Sequence, residues 1–174
     1  NSRMDHRGGC GFEENTGDGA GILTALPDSF FQKIAKSLGL ALPDAGQYAV
    51  GNIFLPQLDD ERKTCKETIK SIISEEGLQF LAWRTVPINP DSANIGPAAK
   101  TAMPVIEQLF IANPGDDQDT FERMLYTTRK RFTNALRGNS DLSQSILLYA
   151  CSLSSRVIVY KGMLTPTQLF PFYS

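Results

Sequence analysis

Apolar residues recur along this chain with two different periods, and the alternation of those periods lays out its elements. Three stretches carry the three-to-four-residue spacing of a helix with one buried face. Pro27-Asp28 opens the first, with Phe30, Ile34 and Leu38 on one side and Gly39 as a stop. Asp59-Asp60 opens the second, whose stripe is Cys65, Ile69, Ile72 and Ile73, and Gly77 ends it. The third places Phe121, Leu125, Thr128, Phe132 and Leu136 on one face before Gly138. At its start Asp119 and Glu122 have the spacing of a capping box, with Asp in place of Ser or Thr.

Between the helices lie runs that read as strands: 22–26, 48–55, 78–86 and 105–112. Residues 145–153 and 156–160 read as a strand pair around a Ser-Ser turn. Residues 88–104, rich in Pro, Asn and Gly, read mostly as loop, and 164–170 as a short final helix with Thr165-Pro166 at its start. The late strands are sequence neighbours rather than strand–helix–strand units. That order favours an α+β fold with mixed or antiparallel pairing over a dinucleotide-binding sheet.

Size and composition fit one globular domain over 1–174: 41% of residues are hydrophobic and 21% charged. A net charge of −2 argues against a nucleic-acid partner, which calls for a basic surface. No apolar run approaches the length of a membrane span. The three cysteines stand far apart and there is one histidine, which excludes a Cys/His zinc site. So sparse and odd a cysteine count suits a reducing compartment, such as bacterial cytoplasm or plastid stroma. Cys65 and Cys151 sit within apolar periodic segments and read as buried thiols.

The stretch 6–21 is the exception to this regularity. Glycine stands at 8, 9, 11, 17, 19 and 21, beside His6, Arg7 and Asp18. Such density means unusual backbone or close approach of another chain segment. Gly17-Asp18-Gly19-Ala20-Gly21 lacks the spacing of the dinucleotide fingerprint and the Gly-Lys-Ser/Thr ending of a P-loop. Arg7 could fix a carboxylate or a reactive group through its planar donor fork, or simply be a surface arginine. Cys10, four residues after His6, could form a Cys–His pair only if the fold brings them together. Arg129-Lys130-Arg131, with Arg123 and Arg137, reads as a solvated helix face balanced by Asp116, Asp117 and Asp119.

Three stretches say more together. They are Met4-Asp5-His6-Arg7-Gly8-Gly9 with Asn15 to Ile22; Asn94-Ile95-Gly96-Pro97-Ala98-Ala99 leading to Pro104 to Phe110; and Ser152 to Leu164 with Gln168-Leu169 and Phe172-Tyr173. In that order the chain resembles the N-terminal class II glutamine amidotransferase domain of glutamate synthase large chains. The resemblance implies the N-terminal-nucleophile fold, an αββα sandwich, here expected to be incomplete at both ends. It implies hydrolysis of L-glutamine by an N-terminal Cys thiolate, with the free α-amino group as base. It implies ammonia passing to a downstream synthase domain of the same polypeptide that makes glutamate from 2-oxoglutarate. That domain carries FMN and an iron–sulfur cluster, with a small subunit or ferredoxin as electron donor; no cofactor is expected in this stretch.

In this resemblance Arg7 takes a supporting place near the nucleophile, and Asp18 and Gly19 take structural places. The nucleophile itself is expected upstream of Asn1, and the glutamine-carboxylate and oxyanion motifs beyond Ser174. Cys10 imitates a Cys-Gly start but lies after His-Arg-Gly with its nitrogen in a peptide bond, so it is rejected as the nucleophile. The chain alone is expected to be inactive. Two other readings stand beside this one: a non-catalytic binding or regulatory module on the same fold, and an amidotransferase of purine or amino-sugar synthesis. The stretch from Ser152 to Leu164 argues against the latter.

Overall fold

The computed structural model describes residues 13, 15–115 and 117–174. Helices and strands are mixed along the chain, as an α+β fold requires, and the chain divides into two compact units.

The larger unit comprises Thr24–Arg84 and Pro104–Ile158. Its centre is β2 (Tyr48–Leu55), buried at every residue but Phe54. It pairs antiparallel with β4 (Val105–Ala112), from Tyr48 opposite Ala112 to Leu55 opposite Val105. β3 (Gln79–Thr85) lies outside β4, and β5 (Tyr149–Ala150) lies on the other side of β2, giving the order β3-β4-β2-β5. One face of this sheet packs on α2 (Asp59–Glu75) and α4 (Gln118–Arg137). There Ala49, Ile53, Leu55, Leu109 and Ile111 meet Ile69 and Ile73 of α2 and Phe121, Leu125 and Phe132 of α4. The apolar stripes read from the periodicity of these two helices are the buried ones.

Helix α1 (Asp28–Ser37) differs from its sequence reading by one position. Phe31 and Ala35 are its buried residues, while Phe30 is 45% and Leu38 50% exposed. Phe31 packs edge-on against Phe110, with centroids 5.7 Å apart, and so takes the place expected of Phe30. Phe30 lies four and eight residues before Ile34 and Leu38, and Phe31 three and seven; both spacings are helical, so periodicity alone could not choose. Asp28 accepts a hydrogen bond from the Tyr48 hydroxyl at 3.0 Å.

Two further expectations are corrected here. The cap of α4 is Asp117, whose carboxylate accepts from the backbone nitrogens of Asp119 and Thr120. Glu122 turns instead to Ser154 and Ser155. The late strand pair does not form either: β5 has only two residues and pairs with β2, whereas β6 (Val157–Gly162) pairs with β1 (Ala20–Ala25). A bridge from Ser154 to Val50, together with the Glu122 bonds, keeps the Ser-Ser segment alongside β2 rather than folding it into a hairpin.

Of the described residues, the smaller unit comprises 13, 15–23, Thr85–Met103 and Val159–Ser174. Its elements are short: α3 (Pro97–Thr101), α5 (Leu169–Phe172) and the parts of the paired β1 and β6 that fall within residues 20–23 and 159–162. α3 falls inside the stretch read as loop, and α5 begins later than the Thr165-Pro166 start that was expected.

Candidate functional site

The smaller unit brings parts of the three motif-bearing stretches together, and Gln168 is the residue that joins them. Its side chain is buried at 7% exposure. Its Nε2 donates to the carbonyls of Asn15 (3.0 Å) and Asn94 (3.1 Å), and its Oε1 accepts from the Thr165 nitrogen at 2.8 Å. One amide therefore satisfies main-chain groups from three segments far apart in sequence. A buried side-chain amide needs its partners, so these bonds tie the three segments to Gln168.

Glycines permit the approach. A Cβ on Gly17 would overlap the backbone of Leu164 and Thr165, and a Cβ on Gly96 would overlap the Thr16 hydroxyl and the Glu13 carboxylate. Gly21 lies so close to β6 that a Cβ would stand 2.8 Å from that of Lys161. The alternating glycines are thus explained chiefly by close chain approach, one of the two readings their density allowed. Asn94 supplies the one left-handed non-glycine backbone among the described residues, at φ 48°. Asparagine tolerates that region better than most side chains.

Glu13 closes the near side. Its Oε2 accepts from the Thr16 hydroxyl at 2.8 Å and from the Ala98 nitrogen at 3.2 Å in the first turn of α3. The Gly96 nitrogen donates to the Asn15 carbonyl at 2.9 Å. On the far side the Asn89 nitrogen donates to the Phe172 carbonyl, and the Tyr173 hydroxyl to the Lys161 carbonyl, each at 2.8 Å. The result is a hydrogen-bonded seat for residues 15–17. His6, Arg7 and Cys10 themselves lie outside the described residues. Asp18 is exposed, and Gly19 has φ 147°, a conformation that side chains rarely adopt.

The other sequence candidates sit in the larger unit. Cys65 is fully buried, and burial, with the nearby negative charge of Glu61, pushes its thiol up to about 11. It is a core thiol, as its place in the α2 stripe implied, and holds too little thiolate at neutral pH to act as a nucleophile. The Ser154-Ser155-Arg156 motif surrounds the Glu122 carboxylate, which accepts from Ser154 Oγ at 3.0 Å, Ser155 N at 2.6 Å and Ser155 Oγ at 2.7 Å. Arg156 pairs with Asp119 on the same helix, which raises the guanidinium pKa further. These bonds hold α4 to the segment between β5 and β6. Among the described residues no group of three or more His, Cys, Asp or Glu could hold a metal ion, and no helix is long and apolar enough to cross a membrane.

Sequence reasoning quoted Gln168 as part of a motif but gave it no task. A glutamine within an apolar run, just after Thr-Pro-Thr, was the available signal. The Glu122 role was missed because its spacing from Asp119 has a simpler local explanation.

The match to the family of class-II glutamine amidotransferases covers residues 1–174, and the chain belongs to that family. It is 43% identical over 174 residues to the NADPH glutamate synthase large chain of Bacillus subtilis (strain 168). It is 42% identical over 171 residues to the chloroplastic ferredoxin-dependent glutamate synthase of Oryza sativa subsp. japonica. It is 37% identical over 177 residues to the NADH glutamate synthase of Schizosaccharomyces pombe. These matches take in 98 or 99% of the chain but only 11, 10 and 8% of the respective relatives, so the chain spans about a tenth of their length.

Proposed function

We propose that residues 1–174 form part of one class II amidotransferase domain, the glutaminase of a glutamate synthase. The observation that carries the reading is the meeting of the three motif stretches around Gln168. In this reading the seat lies downstream in sequence of His6-Arg7-Gly8, and Arg7 supports the thiolate of an N-terminal Cys by its charge and donor fork. The substrate is L-glutamine; the ammonia released passes to a synthase domain of the same polypeptide. FMN and an iron–sulfur cluster belong to that domain, with ferredoxin or a small subunit as electron donor, in a bacterial cytoplasm or plastid stroma. The fold is completed as an αββα sandwich, of which α2, α4 and the four-stranded sheet supply one helical and one sheet layer.

The chain alone does not hydrolyse glutamine. None of its cysteines, at 10, 65 and 151, carries the free α-amino group that the chemistry uses as base. Ammonia release from glutamine is therefore expected from neither this chain nor its Cys10→Ala variant. A polypeptide that begins at a free N-terminal Cys upstream is expected to release ammonia, and Arg7→Gln in it to slow release by roughly 100-fold, the scale of losing one electrostatic partner. Release by the short chain that disappears with Cys10→Ala would sink the proposal, as would full activity of Arg7→Gln.

A further inference from the structure

A second feature lies in the larger unit and is independent of glutamine chemistry. Between α2 and β3 is a cleft of about 350 Å³, within the size range of small-ligand sites. Four cations, Arg62, Lys63, Lys66 and Lys70, line it against two carboxylates, Asp59 and Glu67, in a chain whose net charge is −2. The floor is aromatic, from the half-buried rings of Phe80 and Trp83.

The cations are not equivalent. Arg62 is committed to the Pro56 and Gln57 carbonyls and to Asp59. Lys66 lies 2.7 Å from the buried Glu107 carboxylate while its ammonium stands 5.2 Å from the Trp83 ring centroid. Lys70 stands 5.2 Å from the Phe80 ring centroid, and among the described residues no carboxylate pairs with it or with Lys63. Lys63, Lys66 and Lys70 recur at three- and four-residue spacing, so they form one ridge of α2. The outer two ammoniums are thus available to an anion, and Lys70 is already oriented by the ring beneath it. Inorganic anions have no use for the two rings. A ligand that carries both a charged group and a flat apolar body satisfies the cleft.

We propose that the cleft between α2 and β3 binds a nucleotide, its phosphates on Lys63 and Lys70 and its base against the edges of Trp83 and Phe80, whose ring faces Lys66 and Lys70 cover. Glu67, on the same ridge, opposes the phosphates and keeps the affinity modest.

Trp83 is the one tryptophan of the chain and reports directly on its own site. ADP titrated into the 174-residue chain is expected to change Trp83 emission saturably, with affinity that weakens as salt is raised. Pyrophosphate and adenosine, each offering half the chemistry, are expected to bind more weakly than ADP. Lys63→Ala with Lys70→Ala is expected to weaken ADP by roughly tenfold, and Glu67→Gln to tighten it by about threefold. All three residues are exposed, so the variants keep the fold. The proposal is overturned by an absence of saturable change at millimolar ADP, by pyrophosphate binding as tightly as ADP, or by lysine variants that bind as the parent does.

Discussion

The two units of this molecule are held by different forces. In the larger, β2 and β4 present apolar side chains to α2 and α4, and the interior consists of Ile, Leu and Phe at or near zero exposure. In the smaller, helices of five and four residues and part of a two-stranded ribbon offer little apolar surface to bury. Its order comes from hydrogen bonds made by Gln168 and Glu13 to main chain, and from glycines that let backbones touch. Burial tolerates substitution of one apolar side chain by another, whereas a hydrogen-bonded seat depends on particular atoms. Parts of all three motif stretches meet in the smaller unit, while Pro104 to Phe110 and Ser152 to Ile158 lie in the larger one. Loops held by a few specific bonds carry the geometry of chemistry, and a well-packed neighbour in the same chain carries stability.

The comparison can be broken first where it predicts the largest effect. Phe132→Ala empties a fully buried site in α4 and is expected to cost about 3–5 kcal/mol, read as a fall in the urea midpoint. A loss below about 1 kcal/mol would mean that the larger unit does not rest on this core. Gln168→Leu keeps the volume but removes the donor to the Asn94 carbonyl, the acceptor for the Thr165 nitrogen and one of the two donors to the Asn15 carbonyl, which the Gly96 nitrogen still holds. It is expected to cost roughly 2–4 kcal/mol. Hydrogen exchange should quicken at residues 15–21, 94–98 and 164–168 while the amides shared by β2 and β4 stay protected. Uniform quickening would show that the two units are not separately held.

Glu122→Gln keeps the shape but loses the charged acceptor for Ser154 and Ser155, with an expected cost of about 1–3 kcal/mol. The smallest effect concerns pH. Burial lifts the Cys65 thiol from 9.0 to about 11, so the folded chain keeps this proton after the unfolded chain has lost it. Stability therefore falls as pH rises between those two values, and the fall is reduced in Cys65→Ala. A thiol reagent at pH 8 should leave Cys65 untouched in the folded chain; rapid labelling would contradict its burial.

The same division governs how much could be read from the sequence. The stripes of α2 and α4 and the strands β2, β3 and β4 were legible because a buried face imposes a period on the residues that form it. Helix α1 was misread by one residue because Phe30 and Phe31 fit the same period and only contact with Phe110 separates them. The hairpin expected at Ser154-Ser155 failed because Glu122, more than thirty residues away, captures those serines. The Gln168 seat leaves no periodic trace, since its bonds go to main-chain atoms that every residue carries. It could be reached only as part of a family resemblance, which marked the right segments without saying what joined them.

The most direct test introduces Gln168→Leu into the longer polypeptide of the proposed function, one that begins at a free N-terminal Cys. Glutamate formation would be followed with glutamine as nitrogen donor and again with added ammonia, which bypasses the glutaminase. The account predicts a large loss with glutamine and none with ammonia. Equal rates with glutamine for parent and variant would contradict the claim that this seat serves glutamine hydrolysis.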